Sequence, residues 1–105
     1  MVQPIILCLL DSGEIRMFPT LELLESAIEA VDVVNGEYRA YDSAGLVVEL
    51  TVDQLGAPRA FLSNVSNETE LRSWIFNQYE SNPAIRQGST LAEMVKVLQE
   101  IYKDG

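Results

Sequence analysis

Sixteen carboxylates, one thiol and no imidazole define the chemistry open to this chain. Without His it lacks the side chain whose ordinary pKa lies nearest neutrality. Cys8, the only cysteine, sits in an apolar run and reads as a small hydrophobe. A reactive thiol needs a neighbouring imidazole or cationic pocket. A serine nucleophile has no base, since both lysines, Lys96 and Lys103, fall on the C-terminal helix. No Cys/His cluster exists to hold zinc. Asp11-x-Gly13-Glu14 and Asp32-x-x-Asn35-Gly36 lack the alternating oxygen ligands of a calcium loop and read as turns. None of the six glycines lies in a Gly-rich loop opening a helix, so no phosphate cradle is indicated. A carboxylate pair is left for acid–base work, yet strand alternation turns Glu14 and Glu49 outward. The expectation is a protein that is not an enzyme and holds no metal and no cofactor.

The placement of the acids is more telling than their number. Residues 1–55 carry ten Asp or Glu against Arg16 and Arg39, whereas residues 56–105 carry six against five basic residues. Within the acidic half, Glu22, Glu25, Glu29 and Asp32 recur every three or four residues along one predicted helix. Like charges at that spacing repel by about 0.2–0.5 kcal/mol per pair, so the stripe is locally unfavourable. On the hairpin that follows, Tyr38 and Tyr41 alternate, so one of them faces solvent, and Tyr41 is flanked by Glu37 and Asp42. These seven residues (Glu22, Glu25, Glu29, Asp32, Glu37, Tyr41 and Asp42) form the candidate partner-binding surface. At a net charge of -9, the chain repels nucleic-acid phosphates and anionic membranes and attracts a basic protein.

The elements that must position these groups follow from periodicity. A chain of 105 residues reads as one domain, 1–105. Pro4–Leu10 is a buried strand, apolar on both faces and too short to span a bilayer. It has no basic leader and no cleavage site, so the expected location is the cytoplasm. Asp11-Ser12-Gly13-Glu14 turns the chain into a second strand, Glu14–Phe18, which Pro19 ends. Thr20 caps a helix to about Val31, with Leu21, Leu24, Ile28 and Val31 as its core stripe. Glu37–Tyr41 and Leu46–Val52 form a second hairpin around Asp42-Ser43-Ala44-Gly45. Arg59–Val65 is a short edge strand. Asn67 with Glu70, and Thr90 with Glu93, are capping boxes that open two further helices. The predicted fold class is α+β: an antiparallel sheet of four to five strands in two hairpins, with about three helices packed mainly on one face.

The segments Phe18-Pro19-Thr20-Leu21-Glu22, Ala30–Tyr38 and Tyr41-Asp42-Ser43-Ala44-Gly45 give residues 15–50 a resemblance to small acidic bacterial proteins, some of them similar to immunity proteins of toxin–immunity systems. The shared pieces are turn and strand chemistry, and the resemblance brings no catalytic residue with it. Together these readings lead to a non-catalytic acidic module that binds a basic protein, an immunity-type inhibitor being one such module. The alternative is a self-associating structural or scaffold subunit, a homodimer through its last helix or an open sheet edge.

Overall fold

The computed structural model describes residues 1–86 and 88–103, and for Lys103 the backbone only. Five strands, β1 (Ile5–Leu9), β2 (Ile15–Phe18), β3 (Tyr38–Tyr41), β4 (Leu46–Val52) and β5 (Pro58–Ser66), form one antiparallel sheet in the order β2-β1-β3-β4-β5. Four helices join them: α1 (Leu21–Ala27), α2 (Ala30–Val34), α3 (Glu68–Gln78) and α4 (Leu91–Lys103). No helix among the described residues is long and apolar enough to cross a membrane. The α+β class expected from the sequence is what forms, with two differences of physical interest.

The first is where the helices go. β1 is apolar at every position, and its side chains alternate between two cores. Ile6 and Cys8 pack with Leu71 and Ile75 of α3 and with Leu91, Met94, Val95 and Leu98 of α4. Ile5 and Leu7 pack on the other side with Leu24, Ile28, Ala40, Val48 and Ala60. The long helices therefore cover one face, and the short α1 and α2 cover the other. The segment 19–37 carries the chain from edge strand β2, over β1, to β3.

The second is a break in the first helix. A single helix to Val31 was expected; α1 instead ends at Ala27, and Ile28 and Glu29 are extended (φ -97, ψ 156 and φ -106, ψ 138) before α2 begins. Ile28 stays buried in the sheet-facing core, while Val31, expected there, is 59% exposed. The Glu29 N–H, which a continuous helix would give to the preceding turn, goes to the Tyr38 hydroxyl at 3.4 Å. The break also separates the like charges that an unbroken helix would hold in one row.

The β3–β4 ladder is short. It pairs only at Ala40↔Val48 and Tyr41↔Val47, although in-register continuation would put Arg39 opposite Glu49 and Tyr38 opposite Leu50. The strands diverge there, and Arg39 turns its guanidinium back to donate to the Tyr38 carbonyl at 2.9 Å and the Gly36 carbonyl at 3.3 Å. β5 is the longest strand rather than a short one, and a bulge interrupts its register between Leu46 and Val48. Both sheet edges carry a side-chain cap. Glu25 accepts the Ala60 N–H of β5 at 2.7 Å, and the Tyr102 hydroxyl donates to the Ile15 carbonyl of β2. Such caps and bulges keep an edge from recruiting another strand.

Candidate functional site

Three acidic residues meet at one end of the sheet, by a route that helix periodicity does not reveal. The β1–β2 turn, closed by the Gly13 N–H on the Leu9 carbonyl at 2.8 Å, brings up Asp11. α2 brings up Asp32. Gly36, at φ 68, turns the chain into β3 in a conformation that glycine adopts without cost. The Glu37 N–H then bonds the Asp32 carbonyl at 3.0 Å, and the Glu37 carbonyl accepts Leu10 N–H at 3.0 Å, locking α2, β3 and the end of β1 together. The result is a hollow of about 370 Å³ lined by Leu9, Asp11, Asp32, Glu37 and Tyr38.

Tyr38 organises the hollow. Its hydroxyl donates to Asp32 Oδ2 at 3.2 Å while accepting the Glu29 N–H. Burial, reinforced by the bond to Asp32 and the charges of Asp32 and Glu29, raises its pKa above the ordinary phenol value, so it stays a donor at neutral pH. The ion pairs among the described residues are Arg16–Glu14, Arg59–Glu25 and Arg59–Asp53. None involves Asp11, Asp32 or Glu37. No group of three or more His, Cys, Asp or Glu among the described residues is placed to hold a metal ion. The three carboxylates therefore line a depression rather than converge on a point. A shape of this kind suits the planar, delocalised charge of a guanidinium side chain.

The seven residues proposed from the sequence separate into four groups. Asp32 and Glu37 meet in the hollow. Glu22 and Glu29 are exposed, but Glu22 lies on α1 and Glu29 in the extended break before α2, not in one stripe. Glu25 does not face solvent with them: it accepts from Ala60 and pairs with Arg59 at 3.7 Å, leaving its side chain 19% exposed. Tyr41 and Asp42 correct the expectation of a solvent-facing hairpin, because the sheet is covered on both faces there. Tyr41 is 1% exposed and Asp42 fully buried. Asp42 holds the β3–β4 turn by accepting the N–H groups of Ala44 at 2.9 Å and Leu46 at 3.0 Å on Oδ1, and that of Val2 at 3.1 Å on Oδ2.

The Tyr41 hydroxyl donates to Glu70 Oε1, and Glu70 Oε2 accepts Asn67 Nδ2 at 3.1 Å. Burial is the chief cause of a strong upward shift in the Tyr41 pKa, with the Glu70 bond and charge adding to it. Cys8 beneath it is pushed up to about 12, again mainly by burial and then by Glu70. Neither group ionises near neutrality, so neither is poised as a nucleophile. Sequence reasoning missed Asp11 and Tyr38 as site residues. Asp11 carried only a turn signal, and the placement of α2 beside that turn has no local signature.

No protein-family model matches the chain, and no curated protein or solved structure matches it.

Proposed function

We propose that this protein is a non-catalytic cytoplasmic module that docks a basic segment of a partner protein in the hollow formed by Asp11, Asp32, Glu37 and Tyr38. An immunity-type inhibitor, neutralising a cationic partner by occupying its binding surface, is the form of this function that the acidic bacterial resemblance favours. The observation that carries the reading is the meeting of three carboxylates that form no ion pair among the described residues, contributed by two turns and a helix, around a half-buried tyrosine. Glu22 and Glu29 add to the field without lining the hollow. Long-range attraction would speed encounter, and the hollow would set the register once contact is made.

The test is capture from the source cells with the wild-type protein and with the triple variant Asp11→Asn, Asp32→Asn, Glu37→Gln. A basic protein held by wild type in low salt, released as salt rises and lost with the triple variant supports the reading. A partner retained equally by both proteins, or held without regard to salt, refutes it.

A specific observation favours self-association as the second reading. Phe61 and Val65 are more than half exposed on β5, where neither long helix covers the sheet. Sedimentation separates the two readings: a dimer at low concentration that Phe61→Ser dissolves favours the second, and a monomer favours the first.

A further inference from the structure

Where β3 and β4 diverge, the sheet contains a slot of about 280 Å³ lined by residues of both strands together with Val33, Gly36 and Glu70. The slot draws on both faces. Val33, Tyr38, Ala40, Val48 and Leu50 belong to the core under α1 and α2, while Tyr41 and Val47 belong to the core under α3 and α4. Arg39 lies across from Cys8 in the register, so it starts from the α3 side, as does Glu70 on α3 itself. Both of the slot's charged residues therefore belong to the α3 side, and most of the remaining lining is apolar.

Those two charges are unusual in this chain. Arg39 forms no ion pair among the described residues, despite sixteen acids in the sequence. Its guanidinium is held by the Gly36 and Tyr38 carbonyls through one nitrogen, Nη1, which orients the remaining fork. Glu70 has no cationic partner among the described residues either. Its oxygens are fixed by the Tyr41 hydroxyl and by Asn67, and a carboxylate keeps further lone pairs when each oxygen accepts one bond. A hydrogen-bonded cation and a hydrogen-bonded anion thus line, from one side of the sheet, a largely apolar slot whose size is below the usual range for drug-sized ligands, about 300–1,000 Å³.

We propose that this slot binds a small zwitterion with an apolar body, a free branched-chain or aromatic α-amino acid. An α-amino acid carries both charges on one carbon with its side chain pointing away. That arrangement matches a slot with Arg39 for the carboxylate and Glu70 for the ammonium on its α3 side, and Val33, Val48 and Leu50 for the side chain. A purely anionic ligand would meet the Glu70 carboxylate, and a purely cationic one would meet Arg39, so neither half-molecule satisfies both charges. The slot shares Tyr38 with the acidic hollow but neither of its own charged residues, Arg39 and Glu70, lines that hollow.

The experiment is calorimetric titration of the whole protein with leucine and with phenylalanine. The matched amines, which lack the carboxylate, and the matched acids, which lack the ammonium, are titrated alongside. Saturable binding of at least one of the two amino acids is expected, with its amine and its acid each about tenfold weaker, the equivalent of one charge-assisted contact. Arg39→Gln should erase the preference over the amine, and Glu70→Gln the preference over the acid, each checked for an unchanged far-ultraviolet spectrum. No saturable binding of either amino acid overturns the assignment. So does a half-molecule that binds as tightly as its parent, or a preference that survives both substitutions.

Discussion

Replacing Asp42 separates a structural carboxylate from a docking one. The side chain is fully buried and accepts three backbone N–H groups, two on Oδ1 and one on Oδ2. Hydrogen bonds to an ionised acceptor contribute about 1.5–3 kcal/mol each when the donor has no alternative. Val2 and Ala44 are exposed, so water recovers part of the loss at two of the three donors. Asp42→Ala is therefore expected to cost about 3 kcal/mol. In a domain whose whole stability is about 5–15 kcal/mol that is a large share, and it lowers Tm by about 15 °C. Asp42→Asn keeps an oxygen for Ala44 and Leu46 and loses only the acceptor facing Val2, which is expected to cost about 1 kcal/mol. Urea unfolding followed by Trp74 fluorescence measures both. Equal losses for the two variants, or an Asp42→Ala protein within about 0.5 kcal/mol of wild type, would show that the turn does not depend on this carboxylate.

Gly45 sits at φ 91, and a Cβ there would lie 2.8 Å from the Glu68 Cα; Gly45→Ala is expected to cost about 2–4 kcal/mol in the same unfolding assay. Glu25→Ala uncaps the β5 edge by removing the acceptor of the Ala60 N–H. It should cost about 1–2 kcal/mol and make sedimentation concentration-dependent through edge pairing. Alkaline stability should fall above about pH 9. The folded state holds Cys8 up at about 12 and Tyr41 higher still, whereas the unfolded chain ionises them near 9.0 and 10.0. The stabilisation is thus complete below pH 9 and is lost as pH rises toward the folded values. A pH series of urea midpoints checks this, and Cys8→Ala should flatten the first part of the decline.

Strand periodicity and turn chemistry made most of the sheet legible. The all-apolar run in β1, the Asp11-Ser12-Gly13 and Asp42-Ser43-Ala44-Gly45 turns and the alternation of Leu46, Val48, Leu50 and Val52 mark their elements from local residues alone. Thr90 and Glu93 exchange both bonds of a capping box, at 2.9 and 3.2 Å. Asn67 and Glu70 complete only half of theirs, because the Glu70 carboxylate is drawn to Tyr41 and to the Asn67 side chain. The first helix was misjudged because its break depends on distant partners: the Ala60 N–H that draws Glu25 in, and the Tyr38 hydroxyl that takes the Glu29 N–H. The same long-range placement hid the site. Asp11, Asp32 and Glu37 are neighbours only because the chain crosses over β1 to reach β3. Tyr41 looked exposed only so long as the helices were assigned to a single face.

The most direct test of docking in the hollow is the affinity of the captured basic partner for two variants of equal charge change. Asp11→Asn/Asp32→Asn/Glu37→Gln removes the lining carboxylates, and Glu22→Gln/Glu29→Gln/Glu49→Gln removes three exposed acids outside it. At about 0.5 kcal/mol per exposed carboxylate, the first variant should weaken binding about tenfold and the second by much less. Equal losses for the two variants would mean that net charge alone does the work, and that would contradict a defined site in the hollow.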